Sequence, residues 1–422
     1  MSQRKPAALA LLLISSLVLA ACRPAGQPFT CTDTIGCLTI APSAPVHLAY
    51  AMVISGANES LGVDSRRGIE LAIDDKNGAL LGHPIQLSGV DTLCNPAGGQ
   101  AAATALAVDQ TIAGIIGPSC SSEAAVAAPI LSDAGFTLIS PSATAPGLTD
   151  PAARAPGFFR TAHNDAVQGA TAAEFAYNVL GVRKAATVND GSNYTASLAK
   201  VFATRFHELG GQIMGDAVVK PDATDLSQAV HEMEIGAPDL IYYPIFIAAG
   251  GFLTVQIKAS ALLTKARLMG ADGLFSPDFL KAAGDAAKNM YESSPDFSAF
   301  GPAYQDFLTK HQKKYGEKPA SVFHAHAYDA TNLLLAAIEK VAVQDPDGTL
   351  HIGRQALRDA VQATQGFKGL TGTLTCNETV AGKKNPGDCG DPHIAVYQIV
   401  STDPASWNPG TAADANPKKI YP

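Results

Sequence analysis

Two short apolar runs, each followed by a loop of small hydroxyl residues, constrain the fold of this chain more than any other feature. The first run, 112–116 (IAGII), leads into the loop 117–122 (GPSCSS). The second, 136–139 (FTLI), leads into 140–146 (SPSATAP). Short, continuous apolar runs of this kind are typical of buried strands in parallel sheets. Because ligands bind beyond the carboxyl ends of such strands, the two loops predict a cradle for a small anion such as a carboxylate.

Strand-like and helix-like segments alternate along the whole chain, which predicts an α/β fold with parallel, doubly wound sheets. The alternation recurs in the second half of the chain, and this repetition predicts two α/β lobes with a cleft between them. The predicted strands are 46–54, 85–90, 112–116, 136–139, 184–188, 213–219, 239–243 and a strand starting at 268–270. The predicted helices are 62–77, 99–109, 123–134, 165–180, 196–209, 226–235, 248–259, 303–315, 325–341 and 354–363.

Length and composition agree with a globular protein of two or three domains, because 422 residues exceed one small domain. Apolar residues make up 47% of the chain, enough for a sizeable core. The charged fraction is 16% and the formal net charge is −8, so no basic face predicts a nucleic-acid partner. A single Trp argues against a surface for stacking carbohydrates.

The amino terminus has the pattern of a bacterial export signal. Arg4 and Lys5 precede an apolar stretch, 7–21, that is too short to span a bilayer comfortably. The stretch ends in Leu-Ala-Ala-Cys, which resembles a lipobox, so we expect 1–21 to be removed and Cys22 to carry lipid. The alternative is a simple secretory signal followed by a chance cysteine.

An anchored Cys22 has a consequence for the segment that follows it. Two or three acyl chains would hold the protein stably at a membrane, whereas one would not. Residues 22–45, which include several prolines and alanines, are then expected to form a tether.

Six cysteines remain once Cys22 is assigned to lipid, and an even number in an exported protein indicates disulfides. Fifteen connectivities are possible. Proximity in sequence favours the pairs Cys31–Cys37 and Cys376–Cys389, which leaves Cys94 to pair with Cys120. A metal site is disfavoured, because the chain has no C-x-x-C pair and its spacings match no zinc pattern. The expected pairs are Cys31–Cys37, Cys94–Cys120 and Cys376–Cys389.

Six short segments, taken together and in order, carry a resemblance to a known family. They are 71–77 (LAIDDKN), 91–96 (DTLCNP), 116–122 (IGPSCSS), 139–146 (ISPSATAP), 159–161 (FRT) with Gln168-Gly169, and 269–273 (MGADG). Over 46–400 the chain resembles the type I periplasmic binding proteins, in the group of branched-chain amino acid (leucine/isoleucine/valine) receptors of ABC transporters.

The resemblance implies two Rossmann-like lobes joined by three hinge crossovers, with a ligand captured by lobe closure. It assigns 46–164 with 296–371 to the first lobe and 165–295 with 372–400 to the second. The tail, 401–422, contains several Pro, Asn and Gly residues and is predicted to be poorly ordered. The resemblance also supports the 94–120 bridge, since leucine-binding members of the family join the matching cysteines.

A ligand carboxylate would be held by the two hydroxyl loops. The resemblance implies that Ser121 Oγ, Thr144 Oγ and the backbone N–H groups of the loop Ser142, Ala143 and Thr144 donate to it. Hydrogen bonds to a charged carboxylate are stronger than hydrogen bonds between neutral groups. The alternative is that these hydroxyls only cap the helices that follow.

The remaining ligand contacts are implied on the second lobe, with one exception. Asp272 matches the acidic residue that holds a ligand ammonium, or else is an ordinary turn aspartate. Tyr194 matches a tyrosine that closes over the ligand, with a half-buried loop tyrosine as the alternative, and Phe246 matches an aromatic wall. Leu61 departs from the family, because many relatives have Tyr there, and this difference leaves the identity of the ligand's side chain open.

The predicted function is therefore that of an extracytoplasmic solute receptor and not of an enzyme. Cys120 cannot be a nucleophile if it is in a disulfide, and the chain has no G-x-S-x-G motif. We expect a monomer that binds an amino acid and does not bind nucleic acid. It should need no cofactor or metal, and it should contact the membrane only through its lipid anchor. Its partners would be the permease and ATPase subunits of an importer. The alternatives are a ligand-sensing subunit, or a receptor for an amide or small carboxylate.

Overall fold

The structure, a computed structural model, describes residues 29–377 and 386–422. The predicted signal peptide and Cys22 lie outside this range. Helices and strands alternate through it, as the sequence predicts. As far as residue 174, the elements are β1 (Cys37–Ile40), β2 (Val46–Met52), α1 (Glu59–Asp75), β3 (Ala79–Leu80), β4 (His83–Asp91), α2 (Pro96–Ala107), β5 (Ile112–Ile116), α3 (Ser121–Asp133), β6 (Leu138–Ser140), β7 (Phe158–Arg160) and α4 (Asp165–Glu174).

The remaining elements continue the alternation and end in short strands. They are β8 (Lys184–Asn189), α5 (Asn193–Glu208), β9 (Gln212–Val218), α6 (Ser227–Gly236), β10 (Leu240–Tyr242), α7 (Ile247–Ala259), β11 (Arg267–Gly270), α8 (Pro277–Ala283), β12 (Tyr291–Pro295), α9 (Ala303–Tyr315), α10 (His324–Val341), β13 (Val343–Gln344), β14 (Leu350–Gly353), α11 (Arg354–Gln362), β15 (Phe367–Lys368), β16 (Thr373–Leu374), β17 (Ile394–Gln398) and β18 (Lys418–Tyr421).

The first sheet has the strand order β3-β4-β2-β5-β6-β7 and is parallel from β4 to β7. Its two faces are both buried, one against α10 and the other against α2 and α3. This two-sided burial explains the continuous apolar runs in the sequence. Strand β5 pairs directly with β6, through Ile115 opposite Leu138 and Ile116 opposite Ile139. The hydroxyl loops that follow these two strands therefore meet at one edge of the sheet, as predicted.

The second sheet has the order β18-β17-β12-β11-β10-β8-β9. Strands β9, β8, β10, β11 and β12 are parallel, whereas β17 and β18 are added antiparallel at one end. Helices α4 and α5 cover one face, and α7 and α8 cover the other. The chain passes between the two sheets three times, after β7, after β12 and before β17. This arrangement is the predicted α/β fold with two sheets and three crossovers.

Two segments that the sequence suggested were irregular contain strands. In the predicted tether, β1 pairs antiparallel with β14, and the carboxylate of Asp33 accepts hydrogen bonds from the backbone N–H groups of Gln355 and Ala356. In the predicted tail, β18 pairs antiparallel with β17. The expectations of a tether through residue 45 and of a poorly ordered tail are therefore wrong for these strands. Both strands are four residues long, and main-chain pairing with distant strands stabilises them without a strong apolar pattern.

All three predicted disulfides are present. Cys94–Cys120 joins the loop after β4 to the loop after β5, so it fixes the start of α3. Cys376–Cys389 brackets the segment 378–385, which lies outside the described residues, and both cysteines pack into the core beneath the first sheet. Within residues 29–377 and 386–422, none of the helices has both the length and the apolar character that crossing a membrane requires.

Candidate ligand-binding site

The loops at the facing edges of the two sheets enclose a small cavity of about 20 Å³. This volume is close to that of one water molecule, so the cleft is shut in this structure. The backbone N–H of Asn193 on α5 donates to Ser122 Oγ on α3 across the cleft, at 2.9 Å. Six of the eight residues predicted to bind ligand line the cavity, namely Leu61, Ser121, Ser142, Tyr194, Phe246 and Asp272. The other two, Ala143 and Thr144, are buried in the adjoining loop.

The hydroxyl groups of the first lobe join its two loops to each other. Ser121 Oγ accepts from the backbone N–H of Ala145 at 3.1 Å, and Ser142 Oγ donates to the carbonyl of Ser119 at 2.8 Å. Because Ser121 Oγ acts as an acceptor here, its proton can be donated to a ligand. The same loop is the amino-terminal end of α3, where backbone N–H groups favour an anion. These bonds between loops differ from the alternative in which each hydroxyl caps its own helix.

Glu123, the third residue of α3, takes part in the helix cap instead. Its Oε1 accepts from the backbone N–H of Cys120 at 2.8 Å, inside the first turn of α3. Burial raises the pKa of the Glu123 carboxyl to about 7. Ser121 is therefore free from the capping role that its position in sequence suggests.

Arg160 positions the second loop, although the sequence reasoning gave it no role. Its guanidinium is fully buried and donates to the carbonyls of Ala143 and Ala145, at 3.1 and 2.9 Å. It also forms an ion pair with Asp388 at 2.6 Å. Burial opposes ionisation of Asp388, but the guanidinium holds the pKa of that carboxyl below its usual range. On the other side of the loop, the backbone N–H groups of Ser142 and Ala143 donate to Ser140 Oγ, at 3.3 and 2.9 Å, so these two predicted ligand donors are engaged within the loop in this structure.

Asp272 is held from two sides on the second lobe. The Tyr194 hydroxyl donates to Asp272 Oδ1 at 2.9 Å, and Gln168 Nε2 donates to the same oxygen at 2.6 Å. The backbone N–H of Gly273 donates to the Tyr194 hydroxyl at 3.1 Å. Burial and the nearby Asp272 charge raise the pKa of Tyr194 well above its usual range, so this hydroxyl stays a donor. Both side-chain bonds fall on Oδ1, and Oδ2 can accept from a ligand ammonium.

Gln168 and His163 extend this network toward the first crossover between the sheets. His163 Nε2 lies 2.6 Å from Gln168 Oε1, and an amide oxygen only accepts, so Nε2 carries the proton. Burial lowers the pKa of His163, which keeps the ring neutral. Gln168 belongs to a segment that carries the family resemblance, but its contact with Asp272 joins residues 104 positions apart and has no signal in the local sequence.

An apolar wall closes the rest of the cavity. The rings of Tyr194 and Phe246 lie 5.2 Å apart, and Leu61 faces them from the first lobe. An added Cβ at Gly62 would clash with the Val53 carbonyl, so glycine there allows the start of α1 to approach the end of β2 and sets Leu61 at the cleft. Phe323, just before α10, also lines the cavity and was not predicted.

Two groups of potential metal ligands have other roles. Cys94, Cys120 and Glu123 bring ligand atoms within 4.8 Å of one another, but the two sulfur atoms are joined in a disulfide. His324 is buried and bound to Asp64 and Tyr304, at 2.8 Å each. Neither group offers the open set of ligands that a metal needs.

This architecture, two α/β lobes that close on a small polar and apolar cleft, defines a two-lobed binding protein. A family model described as periplasmic binding protein matches residues 45–385, and the chain belongs to that family. Members are extracytoplasmic substrate-binding receptors of ABC transporters and not enzymes, which confirms the class predicted from the sequence.

Individual relatives agree with this assignment. The chain is 25% identical over 367 residues to the Leu/Ile/Val-binding protein homolog 3 of Brucella melitensis, covering 86% of this chain and 94% of the relative. It is 26% identical over 304 residues to the leucine-, isoleucine-, valine-, threonine- and alanine-binding protein of Pseudomonas aeruginosa, covering 72% and 80%.

Solved structures share the fold. A leucine-binding protein from Thermotoga maritima superposes with a TM-score of 0.74 at 24% identity, covering 85% of this chain and 96% of that one. A solute-binding protein of R. palustris in complex with 4-hydroxybenzoate superposes with a TM-score of 0.74 at 18% identity, covering 89% and 96%.

Proposed function

We propose that this receptor captures an α-amino acid with a branched-chain or other aliphatic side chain and delivers it to the permease of an ABC importer. The observation that carries this proposal is the pairing of opposite chemistries across one cleft. Ser121, beside the loop 142–144, offers a neutral hydroxyl donor on one lobe, and Asp272 offers an anion on the other. A zwitterion satisfies both lobes at once.

The proposed mechanism is closure of the lobes on the bridging ligand. We assign 46–164 with 296–371 to the first lobe and 165–295 with 372–400 to the second, joined by the three crossovers. A cleft of about 20 Å³ admits no amino acid, so the lobes must part before a ligand enters. Contacts from both lobes then favour the closed form, whereas a ligand that binds the open and closed forms equally shifts nothing.

The side-chain end of the cleft supports an aliphatic ligand. Leu61, Phe246 and Phe323 present carbon atoms from both lobes. Relatives named for leucine, isoleucine and valine agree with such a ligand. A small carboxylate is the alternative ligand, because the R. palustris protein is in complex with 4-hydroxybenzoate and the hydroxyl loops could bind such a carboxylate as well. Asp272 argues against that alternative, because it would face an anion.

The lipid anchor would hold the receptor at the membrane beside its transporter partners. Removal of 1–21 would leave lipidated Cys22 as the anchor of a monomeric receptor, which would present closed lobes to permease and ATPase subunits. The same pocket would serve a ligand-sensing subunit of a signalling partner. Binding measurements on the receptor alone do not separate transport from sensing, whereas uptake of labelled ligand into cells with and without the receptor does.

A thermal-shift screen over L-amino acids, amides and small organic acids tests the proposed ligand class. A ligand at 100 times its dissociation constant stabilises the folded state by about 2.7 kcal/mol. We expect leucine, isoleucine or valine to give the largest shifts. If these leave the melting temperature unmoved while benzoates or amides raise it, the amino acid proposal is wrong.

A further inference from the structure

The C-terminal segment 401–422 continues beyond the region that the family model matches, which ends at residue 385. The segment leaves β17 and returns as β18, which pairs antiparallel with β17. Between these strands the side chain of Asn416 closes the loop. Its Oδ1 accepts from the backbone N–H groups of Val400 and Ser401, and its Nδ2 donates to the carbonyl of Ser401. The segment is therefore an ordered loop, which we name the C-terminal strap.

The strap is attached to the second lobe near α8. Trp407, the single tryptophan of the chain, is 8% exposed, and its ring lies 5.1 Å from that of Phe275. Thr402 Oγ1 donates to the carboxylate of Asp285, just after α8, at 2.9 Å. Packing and a hydrogen bond thus hold the strap on this lobe at two points besides its pairing with β17.

The strap also contacts the crossover from β12 to α9. Lys419 Nζ, on β18, donates to Asp296 Oδ2 at 2.7 Å and to Ser298 Oγ at 2.9 Å. The side chains of Lys419 and Asp296 are only 16% and 11% exposed, so solvent screens this ion pair weakly. Phe297, between the two crossover residues, packs on Tyr304 of the first lobe. The strap therefore contacts a segment about which the lobes turn when they part.

A hydrogen bond joins the strap to the first lobe. Lys318, in the loop between α9 and α10, donates from Nζ to Asn408 Oδ1 at 3.0 Å. Beside this bond lies a groove of about 500 Å³ between α1 of the first lobe and α8 of the second. The strap residues that line it are Pro404, Ala405 and Trp407.

The groove adjoins the ligand cleft. Ser60 lines the groove, and Leu61, the next residue on α1, lines the cleft. Parting of the lobes would move α1 away from α8 and would therefore separate Lys318 from Asn408. The hydrogen bond between them belongs to the closed form.

We propose that the C-terminal strap stabilises the closed form by bridging from the second lobe to Lys318, and that it thereby slows release of a bound ligand. A contact that is made in the closed form and lost in the open form shifts the equilibrium between the two. The inference rests on the lobe closure of the proposed function. It applies to any ligand, because neither Lys318 nor Asn408 lines the cleft.

Dissociation kinetics of the mature full-length chain test the inference. The probe is whichever of L-leucine, L-isoleucine and L-valine stabilises the receptor most. We expect Asn408→Ala to release it about threefold faster, as suits one exposed hydrogen bond, with association no slower. Lys318→Ala should show the same increase and the double variant no further one, because the two changes remove one bond. Lys313→Ala, at an exposed lysine of α9, should release the probe at the natural rate.

A cross-link tests the same bridge in the opposite direction. Lys318→Cys and Asn408→Cys, joined by a short bismaleimide, would hold the lobes together, and the disulfide-bonded cysteines would not react. Since a cleft of about 20 Å³ admits no amino acid, association of the probe should slow about tenfold or more. A matched cross-link within the first lobe, between Lys313→Cys and Lys318→Cys, should leave association unchanged.

The outcomes separate this inference from the proposed ligand class. Release at the natural rate from Asn408→Ala or from Lys318→Ala overturns the inference, as does uptake at the natural rate by the chain cross-linked between the lobes. If none of the three amino acids binds the natural chain, the proposed function fails, and small-angle X-ray scattering without ligand decides the inference. The chain cross-linked between the lobes should then have a smaller radius of gyration than the natural chain, and Asn408→Ala a larger one. Equal radii for the three overturn the inference.

Discussion

Tyr194 donates a 2.9 Å hydrogen bond to Asp272, and its hydroxyl accepts one from the backbone N–H of Gly273, next to that aspartate. One phenol therefore fixes both the carboxylate and the loop that carries it. The ring also packs on Phe246. Tyr194 thus links the proposed ammonium contact to the apolar wall of the cleft.

Removing this hydroxyl should weaken binding without dismantling the site. In Tyr194→Phe, Gln168 still holds Asp272 and the ring still packs, so we expect affinity for the amino acid to fall about tenfold, near 1.5 kcal/mol. Calorimetric titration measures the loss. Tyr177→Phe, a change just after the end of α4 at a residue that does not line the cavity, should bind as the natural chain does. An unchanged affinity for Tyr194→Phe would contradict the positioning role.

Asp272→Asn should discriminate between ligands that have an amino group and ligands that lack it. We expect affinity for the amino acid to fall about 100-fold, because a buried ammonium loses its charged partner. Affinity for the des-amino acid should change far less. Competition binding with the two ligands measures both losses, and Asp278→Asn, at the start of α8 and outside the cavity, is the control. Equal losses for both ligands would rule out the ammonium role.

Glu123→Gln should alter how stability depends on pH. The carboxyl has a pKa of about 7 in the fold, against an ordinary value of 4.5, so the folded state keeps a proton that the unfolded chain has lost in this interval. The stability this proton contributes is full below 4.5 and is lost as the pH rises to about 7.

Glutamine keeps the acceptor for the Cys120 N–H but does not titrate. The free energy of unfolding of Glu123→Gln, minus that of the natural chain, should therefore rise by about 3 kcal/mol across that pH interval. Urea denaturation at several pH values measures it. The exposed Glu232→Gln should show no such trend, and a flat difference for Glu123→Gln would refute the burial effect.

The Cys94–Cys120 bridge should matter for both stability and binding. Its sequence separation of 26 residues predicts a loss of about 3.5 kcal/mol when both cysteines become alanine. Because the bridge fixes the start of α3, affinity should fall as well. The Cys31–Cys37 bridge closes a shorter loop and does not line the cleft, so replacing both of its cysteines by alanine should cost about 2 kcal/mol and leave affinity unchanged. Equal affinities for the two double variants would show that the bridge does not support the site.

The first-lobe half of the site was predictable, because its residues follow two buried strands that continuous apolar runs in the sequence indicate. The second-lobe half was not predictable from pattern alone. Asp272 and Tyr194 lie 78 positions apart, and only the resemblance to a family associated them. Arg160 and Phe323 act through contacts with distant loops, which leave no local signal. Strand β18 was missed because main-chain pairing, and not side-chain periodicity, holds it.

The measurement that tests the central claim most directly compares one amino acid with two analogues, the des-amino acid and the decarboxylated amine. In the proposed clamp, each charged end of the ligand is bound by a different lobe. Calorimetric titration should therefore show both analogues binding about 100-fold more weakly than the amino acid, since each loses charge-assisted bonds worth about 3 kcal/mol. An analogue that binds as tightly as the amino acid would contradict the proposed clamp.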